Sequence, residues 1–252
     1  MVIALRDQED AFYQTIRAFG IAERYRIPVI LLSDQYVADT TSTVKPFTLD
    51  FHDLGRDLTG AARQSGAAKT EYLSYRLTDD GVTPRIFPGN PDHFVAADSD
   101  EHDEAGRITE SAEVRKQMMD KRLRKLDKLM LELQEPVLIG PESAGILLIG
   151  WGSLYGPLQE AIKLLNQKKP GSCNALVFGD VFPLPTEHIR KMAKKAKKII
   201  NVEQNATGQL AGLIREYTGI ECQASVLKYD GRQLSGEEIA ARVKGVSPDG
   251  KS

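Results

Sequence analysis

Cysteine is nearly absent: Cys173 and Cys222 are the only two in 252 residues, and they lie far apart in sequence. They form neither a CxxC redox pair nor a cluster, and two thiols cannot supply the four thiolates of a usual iron–sulfur centre. So sparse a complement fits a reducing cytoplasm. No run of about 18 apolar residues occurs, which argues against a membrane-crossing helix. Neither sign of charge is in excess, with 33 Lys and Arg against 35 Asp and Glu and a net charge of −2. A nucleic-acid surface or an anionic-membrane binder is therefore not expected. The opening MVIALRDQEDAF turns acidic early, so no secretory signal peptide is expected. Internal repeats and low-complexity segments are also lacking. With 41% hydrophobic and 27% charged residues, the composition is that of a globular protein of one large or two modest domains.

Near the start, MVIAL reads as a short strand, and Ala11, Phe12, Ile16, Phe19 and Ala22 follow at helical spacing. IPVILL, Ile27 to Leu32, reads as a strand buried on both faces of a parallel sheet. One βαβ unit is too little for a domain, because two strands leave both sheet edges open. Strands from elsewhere must complete that sheet, or the chain begins within a domain. Residues 46–141 read as an irregular linker region. Within it YLSYRL is a possible strand, SDEHDE a solvated or interface loop without metal-ligand spacing, and 108–135 a long helix with Met118, Leu123, Leu126, Met130 and Leu133 on its apolar face.

From Ala144 onward short apolar strands alternate with helices of 10 to 15 residues. The pattern predicts a three-layer, doubly wound parallel α/β domain over residues 142–245, with 246–252 as a disordered tail. In such a domain ligands sit where strand ends meet helix starts. GWGSLYG places Gly150, Gly152 and Ser153 at one such junction, and VEQNATGQLA places Glu203 and Asn205 at another. Each also has a plain reading. The first is a tight turn that packs a helix on the sheet, with Trp151 at a subunit contact; the second is a helix cap at Asn205 or Thr207. GWGSLYG is neither GxGxxG nor a Walker loop, so nucleotide binding is a distant third reading. Ser33, Asp34 and Gln35 stand at the end of IPVILL. RKMAKKAKK, Arg190 to Lys198, reads as a solvated basic helix face. Arg85, held between Pro84 and Pro88 in GVTPRIFPG, is suited to gripping a carboxylate or phosphate in bidentate fashion.

Taken in order, AFYQTIRAFGIAERYRIPVILLSDQYVADT, GVTPRIFPG, ADSDEHDEAGRITESAEVRKQMMDKRLRKL, GWGSLYG, VEQNATGQLA and LKYDGR resemble the α subunit of the 2-oxoacid:ferredoxin oxidoreductases, above all the 2-oxoglutarate type. The resemblance runs from about residue 8 to about residue 243. It implies an enzyme that decarboxylates a 2-oxoacid on thiamine diphosphate, passes electrons singly through iron–sulfur clusters to ferredoxin, and transfers the acyl group to coenzyme A. It implies that residues 1–45 are the end of the pyrimidine-side thiamine-diphosphate domain and 142–245 a transketolase C-terminal-like domain. A β subunit is implied to hold the diphosphate, Mg²⁺ and a cluster, so this chain alone is expected to bind no cofactor. Arg85 becomes the residue implied to bind the substrate carboxylate. The family's opening strands, its Tyr-Pro-Ile-Thr-Pro-type loop and the glutamate that activates the aminopyrimidine have no counterpart here. Activity is therefore expected only with partner chains, and the missing N-terminal α piece is expected either as a separate polypeptide or as a part lost from a fragment or truncated reading frame. The competing expectation is a non-catalytic module for subunit assembly.

Overall fold

The computed structural model describes residues 1–49, 72–86 and 94–246. In chain order the elements are β1 (Val2–Ala4), α1 (Gln8–Tyr25), β2 (Ile30–Leu32), α2 (Gln35–Asp39) and α3 (Ala112–Leu129). Then come β3 (Val137–Ile139), β4 (Ile146–Trp151), α4 (Tyr155–Lys168), β5 (Cys173–Phe178), β6 (Asp180–Phe182) and α5 (Glu187–Ala193). The last are β7 (Lys198–Glu203), α6 (Gln209–Thr218), β8 (Ala224–Leu227) and α7 (Gly236–Val246). Contacts divide the chain into two units. One comprises Met1–Thr15, Val29–Thr48 and Leu133–Ser252, the other Ile16–Pro28 and Leu49–Glu132.

The first unit holds a five-stranded sheet in the order β3-β5-β4-β7-β8. Four strands are parallel, while β3 lies antiparallel on β5, with Val137 opposite Val177. PVLI therefore adds an edge strand that the expected all-parallel pattern lacks. Along β4 the apolar run splits by strand alternation. Leu148 joins Leu158, Ile162, Ile239 and Val243 from α4 and α7. Leu147 and Ile149 join Ile189, Met192, Leu210 and Ile214 from α5 and α6. Each such buried side chain stabilises by about 1.5–3 kcal/mol. Gly150 lets α4 come this close, because a Cβ there would lie 2.7 Å from Leu158 Cδ1.

β5 continues past Gly179 into β6, which pairs antiparallel with β1. With β2 parallel to β1, the second sheet has the order β2-β1-β6. A strand from within the chain thus joins the opening βαβ unit. IPVILL differs from its expected double burial: only Ile30–Leu32 is strand, and Ile30 and Leu32 are 54% and 39% exposed. The reason is position. β2 forms the edge of the small sheet, and its two outward residues meet no cover among the described residues.

Entry into α6 depends on one buried side chain. Glu203, fully buried at the end of β7, accepts the Leu210 and Ala211 backbone N–H groups at 3.0 and 3.1 Å. Asn205 Nδ2 and Trp151 Nε1 donate to the same carboxylate at 2.7 and 3.1 Å. Asn205 in turn accepts the N–H groups of Thr207 and Gly208 and shapes the turn. Glu203 rather than Asn205 or Thr207 is therefore the anion at the helix start, the end where a carboxylate is favoured. At the start of α7, Ser235 Oγ accepts the Glu238 N–H and Glu238 accepts the Ser235 N–H, a reciprocal capping box.

In the second unit α3 is shorter than the expected 108–135. Ser111 caps it by accepting the Val114 N–H at 3.4 Å, and beyond Leu129 the chain tightens into a 3₁₀ turn, Met130–Glu132. Its inward stripe also differs. Met118 and Leu129 are buried, whereas Leu123 and Met130 are exposed, and Lys121 and Lys125 complete the helical spacing between the buried pair. Lys121 donates to Tyr75 O at 2.7 Å and Thr83 Oγ1 at 2.6 Å, and Lys125 to Arg26 O at 3.2 Å. Burial, then the neighbouring Lys125, pushes the Lys121 ammonium down to about 8. YLSYRL forms a turn rather than a strand over its described residues. SDEHDE is packed rather than solvated: the buried His102 stacks on Tyr75 at 3.6 Å, and Glu101 pairs with Arg122 and Arg115 at 2.7 and 2.5 Å.

Two outcomes follow from these contacts. Glu203→Ala strands buried donors and should cost about 3–5 kcal/mol. Urea unfolding followed by the fluorescence of Trp151, the sole tryptophan, reads this directly; a cost below about 1 kcal/mol would contradict the capping role. The Arg122 bond, with Arg115, holds the Glu101 carboxyl down at about 2, against 4.5 ordinarily. A depressed carboxyl stabilises the fold above its unfolded value and loses that contribution as pH falls through the folded one. The protection of the α3 amides, taken relative to their intrinsic exchange rates, should thus fall from pH 4.5 down to about 2, and Glu101→Gln should remove that fall.

Candidate functional site

In the strand order β5-β4-β7-β8 the connections leave β4 and β7 toward opposite sides, so the switch point lies between these two strands. That crevice, at the strands' C-terminal ends, is where open α/β sheets place ligands. A cavity of about 270 Å³ is found there. Trp151, Gly152, Ser153 and Gln204 line it from the large sheet, and Ala4, Leu5, Leu32, Ser33 and Asp34 from the ends of β1 and β2.

Four of the sequence candidates meet at this cavity: Ser33, Asp34, Gly152 and Ser153. Ser153 Oγ donates to Asp34 Oδ2, while Asp34 Oδ1 accepts the Val37 N–H at 3.0 Å and so caps α2. Ser33 Oγ donates to the Asp34 carbonyl at 3.2 Å. Gly152 takes φ +57, a left-handed value, and comes within a would-be Cβ distance of 3.4 Å of Leu5 O. Gln35 stands apart, its amide bonded to Asp39 at 2.8 Å. Gly150 lies under α4 and serves packing. Glu203 and Asn205 face the start of α6 instead of the cavity. Gln204, which the sequence reading passed over, lines the cavity and accepts the Leu234 N–H at 2.7 Å. Its placement one residue after the last strand residue was the available signal.

The cavity's charge is negative. Asp34 is its only charged lining residue, and it faces the turn that opens α4. The start of α6 is filled by Glu203. Glu203 thus occupies the positive end of α6, and the Asp34 carboxylate lies beside the turn that opens α4, so an anion is disfavoured at both places. The indole N–H of Trp151 is bonded to Glu203, while its ring stays part-exposed.

The second unit presents Arg85. Thr83 and Ile86 on either side of it are buried, and Tyr72 Oη donates to the Pro84 carbonyl at 3.0 Å. Thr83 Oγ1 donates to Arg76 O at 2.9 Å and is held by Lys121. The loop is thereby fixed while the Arg85 side chain stays 42% exposed, its guanidinium paired with Glu23 of α1. Pro88, the second proline of the expected clamp, lies outside the described residues. The supporting lysines were hidden in the sequence because they occupy apolar positions of a helix.

Other motifs take plain roles. In RKMAKKAKK the helix ends at Ala193, and Lys191 and Lys195 pair with Glu142. Burial, then the Glu203 charge, pushes the Cys222 thiol up to about 11, which leaves it unreactive. Among the described residues no group of His, Cys, Asp and Glu could hold a metal ion, and no helix is long and apolar enough to cross a membrane.

Residues 1–121 match the family model described as pyruvate flavodoxin/ferredoxin oxidoreductase, thiamine diphosphate-binding. The α subunit of 2-oxoacid:ferredoxin oxidoreductase 2 of Aeropyrum pernix is 32% identical over all of this chain and 39% of its own length. The 2-oxoglutarate synthase subunit KorA of Archaeoglobus fulgidus is 25% identical over 97% of this chain and 60% of its own length. A solved 2-oxoglutarate:ferredoxin oxidoreductase from Magnetococcus marinus, with 2-oxoglutarate, coenzyme A and succinyl-CoA bound, is 26% identical. It superposes with a TM-score of 0.78 over 96% of this chain and 41% of that one. The chain spans about two fifths of the length of the first of these relatives. This chain is a homologue of the α subunits of the 2-oxoacid:ferredoxin oxidoreductases.

Proposed function

We propose that the chain works as part of the α subunit of a 2-oxoacid:ferredoxin oxidoreductase of the 2-oxoglutarate type. The reaction converts a 2-oxoacid and coenzyme A into acyl-CoA and CO₂, while two oxidised ferredoxins each accept one electron. The observation that carries this reading is the superposition on the enzyme with 2-oxoglutarate and coenzyme A bound, which spans nearly the whole chain. A cytoplasmic setting accords with two unpaired thiols.

Within this reading Arg85 binds the substrate carboxylate. Its exposed guanidinium on a fixed loop suits a bidentate grip. Thiamine diphosphate supplies the carbanion chemistry when bound, but the described residues do not fit its diphosphate end. The strand-end cavity is lined by no cation, and a carboxylate stands at each neighbouring helix start. This supports a β subunit as the holder of diphosphate, Mg²⁺ and the iron–sulfur cluster.

Assembly has its own support. Val2 of β1 has Ile30 on one side and Phe182 on the other. Ile30, Leu32 and Phe182 are all exposed, and the outer edge of β2 has no strand partner among the described residues. An apolar face beside an open edge is a template for another strand. We assign it to a further strand of α-subunit polypeptide that completes the small sheet.

Mixed with its partner chains, the protein should reduce a viologen dye only when a 2-oxoacid and coenzyme A are both present. Absence of such reduction in a fully assembled, cofactor-loaded complex would overturn the enzymatic reading and leave the assembly module. Ile30→Glu with Leu32→Glu should lower the partner polypeptide's affinity by at least tenfold, about 1.4 kcal/mol, without lowering the chain's own thermal midpoint. Unchanged affinity in a binding titration would remove the docking assignment.

A further inference from the structure

Glu23 and Arg85 each expose 42% of their side chains and form an ion pair in the second unit. The surroundings make this pair unusual. Arg26 donates to the carbonyls of Ser74 and Thr83 at 3.3 and 3.4 Å. Lys121 and Lys125 likewise have neutral acceptors: two carbonyl oxygens and a hydroxyl between them. Arg26 and Lys121 thus hold the loop that carries Arg85 at Thr83, Lys125 holds Arg26, and none of these bonds is to a carboxylate. Burial and mutual repulsion among the three cations push both lysine ammoniums down. Glu104 is the one carboxylate that acts on Lys121, and Glu23 is the one paired with the Arg85 guanidinium.

We infer that Glu23 is a stand-in for the ligand carboxylate, occupying Arg85 until a 2-oxoacid displaces it, and so sets the affinity for substrate. The inference rests on the reading of Arg85 as the substrate-carboxylate residue. Displacement is feasible because the pair is exposed, and exposed pairs are worth only about 0.2–1 kcal/mol. A ligand that brings a second anchoring contact therefore outcompetes Glu23. The arrangement keeps the guanidinium oriented in the empty site, and competition from Glu23 discriminates against weak monoanions. Glu23 is here a specificity-determining residue that touches Arg85 and takes no part in bond making.

The test uses the complex assembled from the full chain and its partner chains, with KM and kcat for 2-oxoglutarate measured in parallel. Glu23→Gln should lower KM about three- to fivefold and leave kcat unchanged, because the competitor acts on the free enzyme alone. Glu23→Asp, which retracts the carboxylate by one methylene, should lower KM by a smaller factor. Arg85→Gln should raise KM at least tenfold, and adding Glu23→Gln to it should change nothing further. An unchanged or raised KM in Glu23→Gln, with Arg85→Gln still impaired, overturns the stand-in and leaves the Arg85 reading intact. An Arg85→Gln complex with KM within twofold of the parent overturns both.

Discussion

The carboxylate of Glu203 lies out of solvent at the end of β7, and groups from three different places converge on it. They are the first turn of α6, the Asn205 amide and the Trp151 indole. Burying an isolated carboxylate costs several kcal/mol even after the protein relaxes. Hydrogen bonds to a charged group return about 1.5–3 kcal/mol each, so four donors make the burial tolerable and fewer would not. The consequence is geometric. α6 can start only where its N–H groups meet this side chain, and Trp151, the last residue of β4, is tied to the end of β7. The two central strands of the large sheet are thus locked at the end where a ligand crevice forms.

A second carboxylate organises the crevice itself. At the turn into α4 the Asp34 carboxylate takes the Ser153 hydroxyl and the Val37 N–H together. One side chain therefore caps α2 and joins the end of the small sheet to the end of the large one. Glycine at 152 is required there by a left-handed φ and by the approach of Leu5 O. A glycine-containing loop before a helix looks like a phosphate cradle in sequence. In three dimensions the positive end it would offer faces a carboxylate of the chain itself. That carboxylate belongs to the residue that caps α2, more than a hundred positions away in sequence.

The C-terminal half of the fold was legible because its physics is local. Each strand of the large sheet carries a continuous apolar run, and each helix an amphipathic stripe with a terminal signal such as Gly219 in its left-handed turn. What sequence missed depends on distant partners. β6 is a strand only because β1 lies beside it, and Val137–Ile139 only because β5 offers a free edge. IPVILL looked buried on both faces because periodicity reports the preference of side chains and is silent about which neighbours are present; at an edge the outer residues stay uncovered. The inward stripe of α3 was misread for a related reason. Lys121 and Lys125 stand where apolar residues are expected, and only the carbonyls they meet account for them. Of the candidate site residues, Asp34, Ser33, Gly152 and Ser153 were reachable by the strand-end rule. Gln35 was not separable from them, since one further residue carries it onto α2 and out of the cavity.

Arg85 illustrates how precision arises without regular structure. No strand or helix holds residues 82–86. They are instead held by long side chains from elsewhere: Arg26 on the Thr83 carbonyl, Tyr72 on the Pro84 carbonyl and Lys121 on the Thr83 hydroxyl. Carbonyl oxygens in an irregular loop need donors, and buried hydrophobic residues could not provide them. Cationic side chains do, at the expense of their own hydration, which is why the lysines here are pushed below their ordinary range. The positive charge left over is not wasted. It would favour a carboxylate at the exposed guanidinium, so on the proposed reading of Arg85 the groups that fix the loop's shape also serve its binding.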